Sequence, residues 1–289
     1  FIKDYNITLV QPNISQKEKW KKSLRKFHHE NLTNLSLKRK NFLNHKGRLI
    51  IWPETAFVGT YPRDKDILED LSYKILDINK NEFLFTGAIN IQDKKYYNSA
   101  FLINSKKEIL NIYNKKFLVP FGEYIPFKSI FPSISPLSNF VNFTHSTNNP
   151  KFKINNDFNF LPLICYEIIF NKYIFKKVTP DTSLIINITN DAWFGKTIGP
   201  HQHLQFARIR SVEFGIPVAR VANTGISAFF SPYGEKILEI KLGKRGVESS
   251  YMLEKLETTI YKRFGDGCFV IVLIYICFIN ALIHANRKS

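Results

Sequence analysis

The chain has 289 residues, 44% hydrophobic and 15% aromatic, which excludes a disordered or low-complexity polymer and allows one large domain with a well-buried core. Its 41 Lys and Arg against 24 Asp and Glu give a formal charge of +17, which suits an anionic partner. The basic residues are scattered along the chain and no aromatic-and-basic module of the known nucleic-acid folds is present, so nucleic acid is not an expected partner.

Strand-like runs, rich in Ile, Leu, Val and Phe, occur at 6–13, 48–54, 82–90, 98–104, 108–115, 160–167, 183–191, 217–225, 227–234 and 236–242. Several are too continuously apolar for a sheet with one wet face. Helical spacing is expected over 16–44, the most lysine-dense stretch, over 65–79, and over 203–215, where Leu204, Ala207 and Val212 share a face. Strands alternating with helices, then a hairpin-like end, argue for an α/β domain with helices packed outside the sheets. The segment 126–158 is long, aromatic and proline-containing, and reads as a lid or binding element.

Near the C-terminus, residues 268–283 (CFVIVLIYICFINALI) carry no charge. With flanks at 264–285 the run approaches the roughly 20 residues that cross a bilayer. The expected organisation is a catalytic domain over 1–258 and one transmembrane helix over 264–285. The basic tail HANRKS that follows belongs in the cytoplasm, which puts residues 1–263 on the far side of the membrane. The three cysteines, at 165, 268 and 277, have neither metal-ligand nor redox spacing, and no disulfide framework is implied. A lone thiol at Cys165 in an oxidising compartment is a liability unless its reactivity is used.

Strand ends supply the reactive groups. LIIWPET delivers Glu54 just past Pro53, where the ladder must stop; IYNKKFLVPFGEY delivers Lys115, Lys116 and, beyond a turn at Pro120 and Gly122, Glu123; LPLICYE delivers Cys165 and Glu167. A cysteine needs a base or a cation to become a nucleophile, a partly dehydrated glutamate is suited to carry that proton, and an ammonium stabilises the oxyanion of an acyl-transfer intermediate. Singly, each has a plainer reading: a small hydrophobe, a turn residue, surface charge. The period of two puts Glu167 on the strand face of Cys165.

The ordered strings WPET (52–55), YNKKFLVPFGEY (113–124), LICYE (163–167) and NITNDAWFG (187–195) resemble the carbon–nitrogen hydrolase, or nitrilase, superfamily. The strings LVPFGEYIP and GPHQHLQFARIRSVEFGIPVARVANTGIS, with the C-terminal apolar run, are more closely similar to the apolipoprotein N-acyltransferases of bacterial inner membranes, from about Ile7 onward. The resemblance implies a four-layer αββα sandwich with Glu54 as general base, Lys115 as oxyanion stabiliser and Cys165 as nucleophile. Tyr113 and Leu118 fix the register that selects Lys115 over Lys116. Glu123, Glu167 and Tyr166 match supporting positions, and Asn98 and Trp193 match site-lining ones. Phe117 stands where relatives often carry a basic residue or His.

The implied reaction passes an acyl chain from a phospholipid to Cys165 as a thioester, then to the α-amine of a diacylglyceryl-cysteine on a lipoprotein. Its setting is the periplasmic face of the inner membrane; neither cofactor nor metal is expected, and the chain is expected to be a monomer. The family carries a multi-helix membrane portion ahead of this domain, whereas the sequence opens on Phe1, so that portion is expected upstream or encoded elsewhere. The same triad also serves an amidase acting on a small amide, and a membrane-tethered binding protein with an inert site is a third reading. The His201-x-His203 pair could suit a metal, but no further Cys/His cluster accompanies it.

Overall fold

The computed structural model describes residues 2–38, 46–124, 142–147, 152–154, 158–195 and 197–286; most of the expected lid segment 126–158 lies outside them. The chain opens with β1 (Ile2–Gln11), the one-turn helix α1 (Gln16–Lys19) and α2 (Arg25–Leu37), then β2 (Gly47–Ile51), β3 (Thr60–Tyr61), α3 (Lys65–Ile75), β4 (Asn81–Gln92), β5 (Lys95–Asn104) and β6 (Ile109–Asn114). It continues with β7 (Phe152–Lys153), β8 (Asn159–Ile164), α4 (Asn171–Lys177), β9 (Thr182–Thr189), α5 (Gly199–Phe214), β10 (Val218–Ala222), β11 (Ser227–Phe230), β12 (Lys236–Ile240), β13 (Gly246–Met252), α6 (Ile260–Phe264) and α7 (Gly267–Asn286).

Two sheets result, ordered β13-β1-β2-β4-β5-β6, with β3 beside β4, and β12-β11-β10-β9-β8-β7. The parallel cores are β1-β2-β4, with the two-residue β3 also parallel to β4, and β8-β9-β10, and the remaining outer strands join antiparallel. The two-residue period of each strand partitions its side chains. Ile7, Leu9, Leu49 and Ile51 meet Leu184, Ile186, Ile188 and Val221 between the sheets. Their chain neighbours Val10, Ile50 and Trp52 face outward and pack with Leu32 and Leu35 of α2 and Leu68 and Leu71 of α3. On the other side Leu163, Ile185 and Val218 pack with Ile174 of α4 and Leu204, Ala207 and Phe214 of α5. This is the expected αββα sandwich, and burial on both faces explains why its central strands read as continuous apolar runs. Each such fully buried side chain contributes about 1.5–3 kcal/mol.

Several elements differ from the sequence reading. The helix expected over 16–44 is interrupted: α1 stops after one turn, a 3-10 turn spans Lys22–Leu24, α2 ends at Leu37, and residues 39–45 fall outside the described set. The break follows Lys19, whose side chain turns inward to bond Thr55 and the Glu54 carbonyl. Val212 is exposed, while Leu204, Ala207, Ser211 and Phe214 form the buried face of α5. At 100° per residue Val212 lies about 140° around the helix from Ala207. Helix α4 is only seven residues long, too short to announce a period, and β13 reads GVESSYM, with too few apolar residues to signal a strand.

Helix α7 stands off the sandwich. Its window Gly267–His284 has mean hydropathy 2.4 with none of it buried, so it is long and apolar enough to cross a membrane.

Candidate active site

The carboxyl ends of β2 and β8, the end of β6 and the turn after β9 converge on one cleft of about 310 Å³. Glu54, Lys115, Glu123 and Cys165 all line it, as do Asn98 and Trp193. Gathering reactive groups at strand ends is what an α/β sheet does by construction.

Glu54 sits on a tight turn after Pro53, with Thr55 in the left-handed region at φ 46°. The turn lies directly on β4 at Gly87: a Cβ there would come within 2.3 Å of the Thr55 nitrogen and 2.7 Å of the Glu54 Cα. Only glycine permits this approach. Oε1 of Glu54 accepts from Asn98 Nδ2 at 2.6 Å and Lys115 Nζ at 3.4 Å, and Oε2 accepts from the backbone N–H of Asn190 at 2.7 Å.

Lys115 follows the last residue of β6, and its N–H donates to the Asn98 carbonyl at 2.8 Å. Its buried ammonium also lies 2.9 Å from Glu123. Burial alone would lower its pKa, but the carboxylates of Glu123 and Glu54 outweigh it and hold the lysine firmly charged. Glu123 is presented by a turn in which its own N–H bonds the Val119 carbonyl, while Oε2 accepts from the Val119 N–H at 2.8 Å. Asn98 donates to both carboxylates, to Glu54 at 2.6 Å and Glu123 at 2.8 Å, so this residue, expected to line the site, bridges its two acids.

Cys165 lies just beyond β8 in a 3-10 turn, Cys165–Ile169, and its φ is 52°. A non-glycine residue in this region is strained by about 1–3 kcal/mol, and the strain turns the side chain out of the strand direction. Burial and then the Glu54 charge push the thiol up to about 12, with Lys115 pulling the other way. A thiol so placed needs a base to take its proton before it can act as a nucleophile.

The expected shared strand face of Cys165 and Glu167 is not found, because the strand ends at Ile164 and the left-handed residue breaks the period. Glu167 turns back under the site instead, fully buried. It accepts from the N–H groups of Lys116 at 2.7 Å, Phe117 at 3.2 Å and Ile164 at 2.7 Å, and from the Tyr113 hydroxyl at 2.8 Å. Burial raises its pKa, opposed by the Ile164 N–H, Lys115 and its other donors. It thus clamps the segment carrying Lys115 to the turn carrying Cys165. Tyr166 lines not the cleft but its neighbour, a pocket of about 450 Å³ shared with Lys116, Phe117, Tyr124 and Phe170. Trp193 is half-exposed at the cleft mouth.

Three contributors escaped the sequence reading. Asn190 supplies a backbone N–H to Glu54, Gln16 supports the Asn190 side chain at 3.0 Å, and buried Lys19 bonds the Glu54 carbonyl at 3.1 Å and Thr55 Oγ1 at 2.6 Å. Burial brings Lys19 down to about 8, with Glu54 partly opposing.

A family model described as carbon–nitrogen hydrolase matches residues 6–249. The chain belongs to the carbon–nitrogen hydrolase family. Among curated relatives of this carbon–nitrogen hydrolase, the apolipoprotein N-acyltransferase of Rickettsia prowazekii is 33% identical over 288 residues, 97% of this chain and 56% of its own length. That of Agrobacterium fabrum is 35% identical over 254 residues, covering 83% of this chain and 46% of the relative. The chain spans about half the length of the curated relatives it matches. Among solved structures, a nitrilase-superfamily amidase from Nesterenkonia superposes with a TM-score of 0.60 at 15% identity, over 91% of this chain and 94% of the amidase. A nitrilase-superfamily member from Saccharomyces cerevisiae gives 0.61 at 14% identity, over 86% and 89%. At these identities the two structures establish the carbon–nitrogen hydrolase fold.

Proposed function

We propose that the chain is an N-acyltransferase that moves an acyl chain from a phospholipid, through a thioester on Cys165, to the N-terminal amine of a diacylglyceryl-cysteine lipoprotein. The observation that carries this reading is the meeting of Glu54, Lys115 and Cys165 in one cleft, in a chain similar to apolipoprotein N-acyltransferases over nearly its whole length. In the first half-reaction Glu54 takes the Cys165 proton and the thiolate attacks the ester carbonyl. Lys115 donates to the oxyanion as it forms, a contribution of about 3–4 kcal/mol for one donor. Collapse breaks the ester C–O bond, and the departing lysophospholipid oxygen takes the proton back from Glu54. In the second half the lipoprotein amine attacks the thioester, Glu54 accepts its proton, and the thiol is restored as the amide forms. Glu123 and Asn98 orient the lysine and the base, and Glu167 holds the turn.

The domain division follows from the same reading: residues 1–258 form the catalytic domain, and α7 anchors it as a membrane span with the basic tail on the cytoplasmic side. Exposed Trp193 at the cleft mouth, followed in the chain by exposed Phe194 and Ile198, suits a site that meets acyl chains at a membrane surface. The test is intact-mass spectrometry of the chain incubated with phospholipid vesicles. A palmitoyl-sized adduct on Cys165, absent from Cys165→Ala and discharged by a diacylglyceryl-cysteine peptide, is expected. Turnover of small amides with no such adduct would replace this reading with an amidase, and neither activity would indicate an inert site.

A further inference from the structure

Beneath α5 the apolar layer is interrupted by charge. Arg220, on the outward face of β10, and Asp191, just after β9, are both buried, with Nη2 of the arginine 2.6 Å from Oδ2 of the carboxylate. His203 of α5 places Nδ1 3.0 Å from Asp191 Oδ1 and 3.1 Å from Arg220 Nη2. Asn187 of β9 accepts from Arg220 Nη1 at 2.6 Å. Room for Asp191 depends on Gly225, where a Cβ would fall 2.2 Å from Oδ2. None of these four side chains lines the cleft, and the acyl-transfer steps use none of them.

The network nevertheless ends on the nucleophile. The Cys165 carbonyl oxygen accepts from Asn187 Nδ2 at 3.1 Å and faces His203 Nε2 at 3.2 Å. A carbonyl can only accept, so Nε2 must carry the proton. Nδ1 stands between opposite demands, Arg220 Nη2 at 3.1 Å able only to donate and Asp191 Oδ1 at 3.0 Å able only to accept, and a neutral ring with its proton on Nε2 meets the arginine. Burial, followed by the Arg220 charge, lowers the His203 pKa and favours that neutral form. Asp191, which would prefer an Nδ1–H, is satisfied by Arg220 and by Thr189 Oγ1 at 3.0 Å. The two histidines of His201-x-His203 thus part company: His201 is exposed, and His203 reaches inward.

We propose that His203 is a positioning residue for Cys165: with Asn187 it holds the carbonyl of the left-handed turn, and the Asp191–Arg220 pair sets the tautomer that makes the imidazole a donor. Without that grip a residue at φ 52° relaxes toward the commoner regions, and the sulfur swings away from Glu54 and Lys115. The proposal rests on the reading of Cys165 as nucleophile. Its test reads the turn without relying on acyl transfer.

The full chain in detergent micelles is treated with iodoacetamide, and alkylation of Cys165, Cys268 and Cys277 is followed separately by peptide mass spectrometry. In His203→Leu, Cys165 is expected to react about 10- to 100-fold more slowly, the size of effect a displaced reacting group produces. Cys268 and Cys277 keep their wild-type rates. His203→Gln, whose amide nitrogen reaches the position of Nε2, is expected to recover most of the rate. Equal Cys165 rates in Leu, Gln and wild type overturn the proposal, as does equal slowing in both variants. A wild-type Cys165 alkylated no faster than the Cys165 of Glu54→Gln would instead count against the nucleophile itself. Because His203→Leu could fail to fold, a second measurement uses the wild-type chain. Its imidazole nitrogen shifts, assigned by the resonance missing from His203→Gln, are expected to show the neutral Nε2–H tautomer. An Nδ1–H tautomer cannot donate to the carbonyl and refutes the proposal.

Discussion

Replacing Glu167 tests whether the clamp beneath the site is held by its acceptor oxygens. In Glu167→Ala the N–H groups of Ile164, Lys116 and Phe117 lose their acceptor, while the Tyr113 hydroxyl can still turn toward Tyr173 Oη, 3.4 Å away. A buried unsatisfied donor costs about 1–3 kcal/mol, so three cost about 3–9 kcal/mol. The whole fold commands only about 5–15 kcal/mol. Glu167→Gln keeps one oxygen for Lys116 and Phe117 and turns an amide nitrogen on the Ile164 N–H, leaving one unpaired donor at about 1–3 kcal/mol. Burial raises the Glu167 pKa above its usual 4.5, so the folded state favours the protonated form. Its contribution to stability is therefore complete below that value and declines as pH rises through the raised pKa, whereas the glutamine does not titrate. The gap between wild type and Glu167→Gln should accordingly be widest in acid and narrow toward neutrality. Guanidinium denaturation of the full chain in micelles, followed by tryptophan fluorescence, measures all three proteins. An alanine variant as stable as the glutamine one, or a gap that widens with pH, refutes the reasoning.

Glu54→Gln removes the proposed base while keeping the shape, and thioester formation on Cys165 should slow by about 10²–10⁴-fold in the vesicle assay; an unchanged rate would remove Glu54 from the proposed chemistry. Lys19, brought down to about 8 by burial from 10.5, holds fewer protons folded than unfolded between those values, so it makes stability climb with pH across that window. Lys19→Met should lack this share of the climb when melting temperatures are compared from pH 7.5 upward. Deleting residues 265–289 takes away α7, whose apolar window buries nothing against the sandwich. The remainder should stay in solution without detergent and melt within about 2 °C of the full chain, less than a 1 kcal/mol change produces; a larger drop would mean that α7 packs on the domain.

How far the sequence foretold this site depended on what a letter can encode. Glu54, Lys115, Cys165 and Glu123 were legible because their types are scarce in apolar surroundings and their strings stand in a recognisable order. The α/β layering was legible because central strands buried on both faces cannot hide their composition, and the four-layer sandwich came with the family resemblance. Asn190 was not, since it serves Glu54 through a backbone N–H that any residue but proline possesses. Lys19 was lost among its neighbours: in KEKWKK nothing marks the one ammonium that turns inward. The direction of Glu167 was misjudged for a subtler reason. Counting by twos assumes an unbroken strand, and a cysteine at positive φ gives no warning where a glycine would have.

That backbone angle also sets activity against endurance. A glycine at position 165 would accept φ 52° without a Cβ penalty, so Cys165→Gly should be more stable than Cys165→Ala by about 1 kcal/mol, though under the proposed mechanism neither can form the thioester. Selection for sturdiness alone would then favour erasing the sulfur, and a library of this chain sorted only by heat resistance should drift toward glycine at the position proposed to carry the acyl chain.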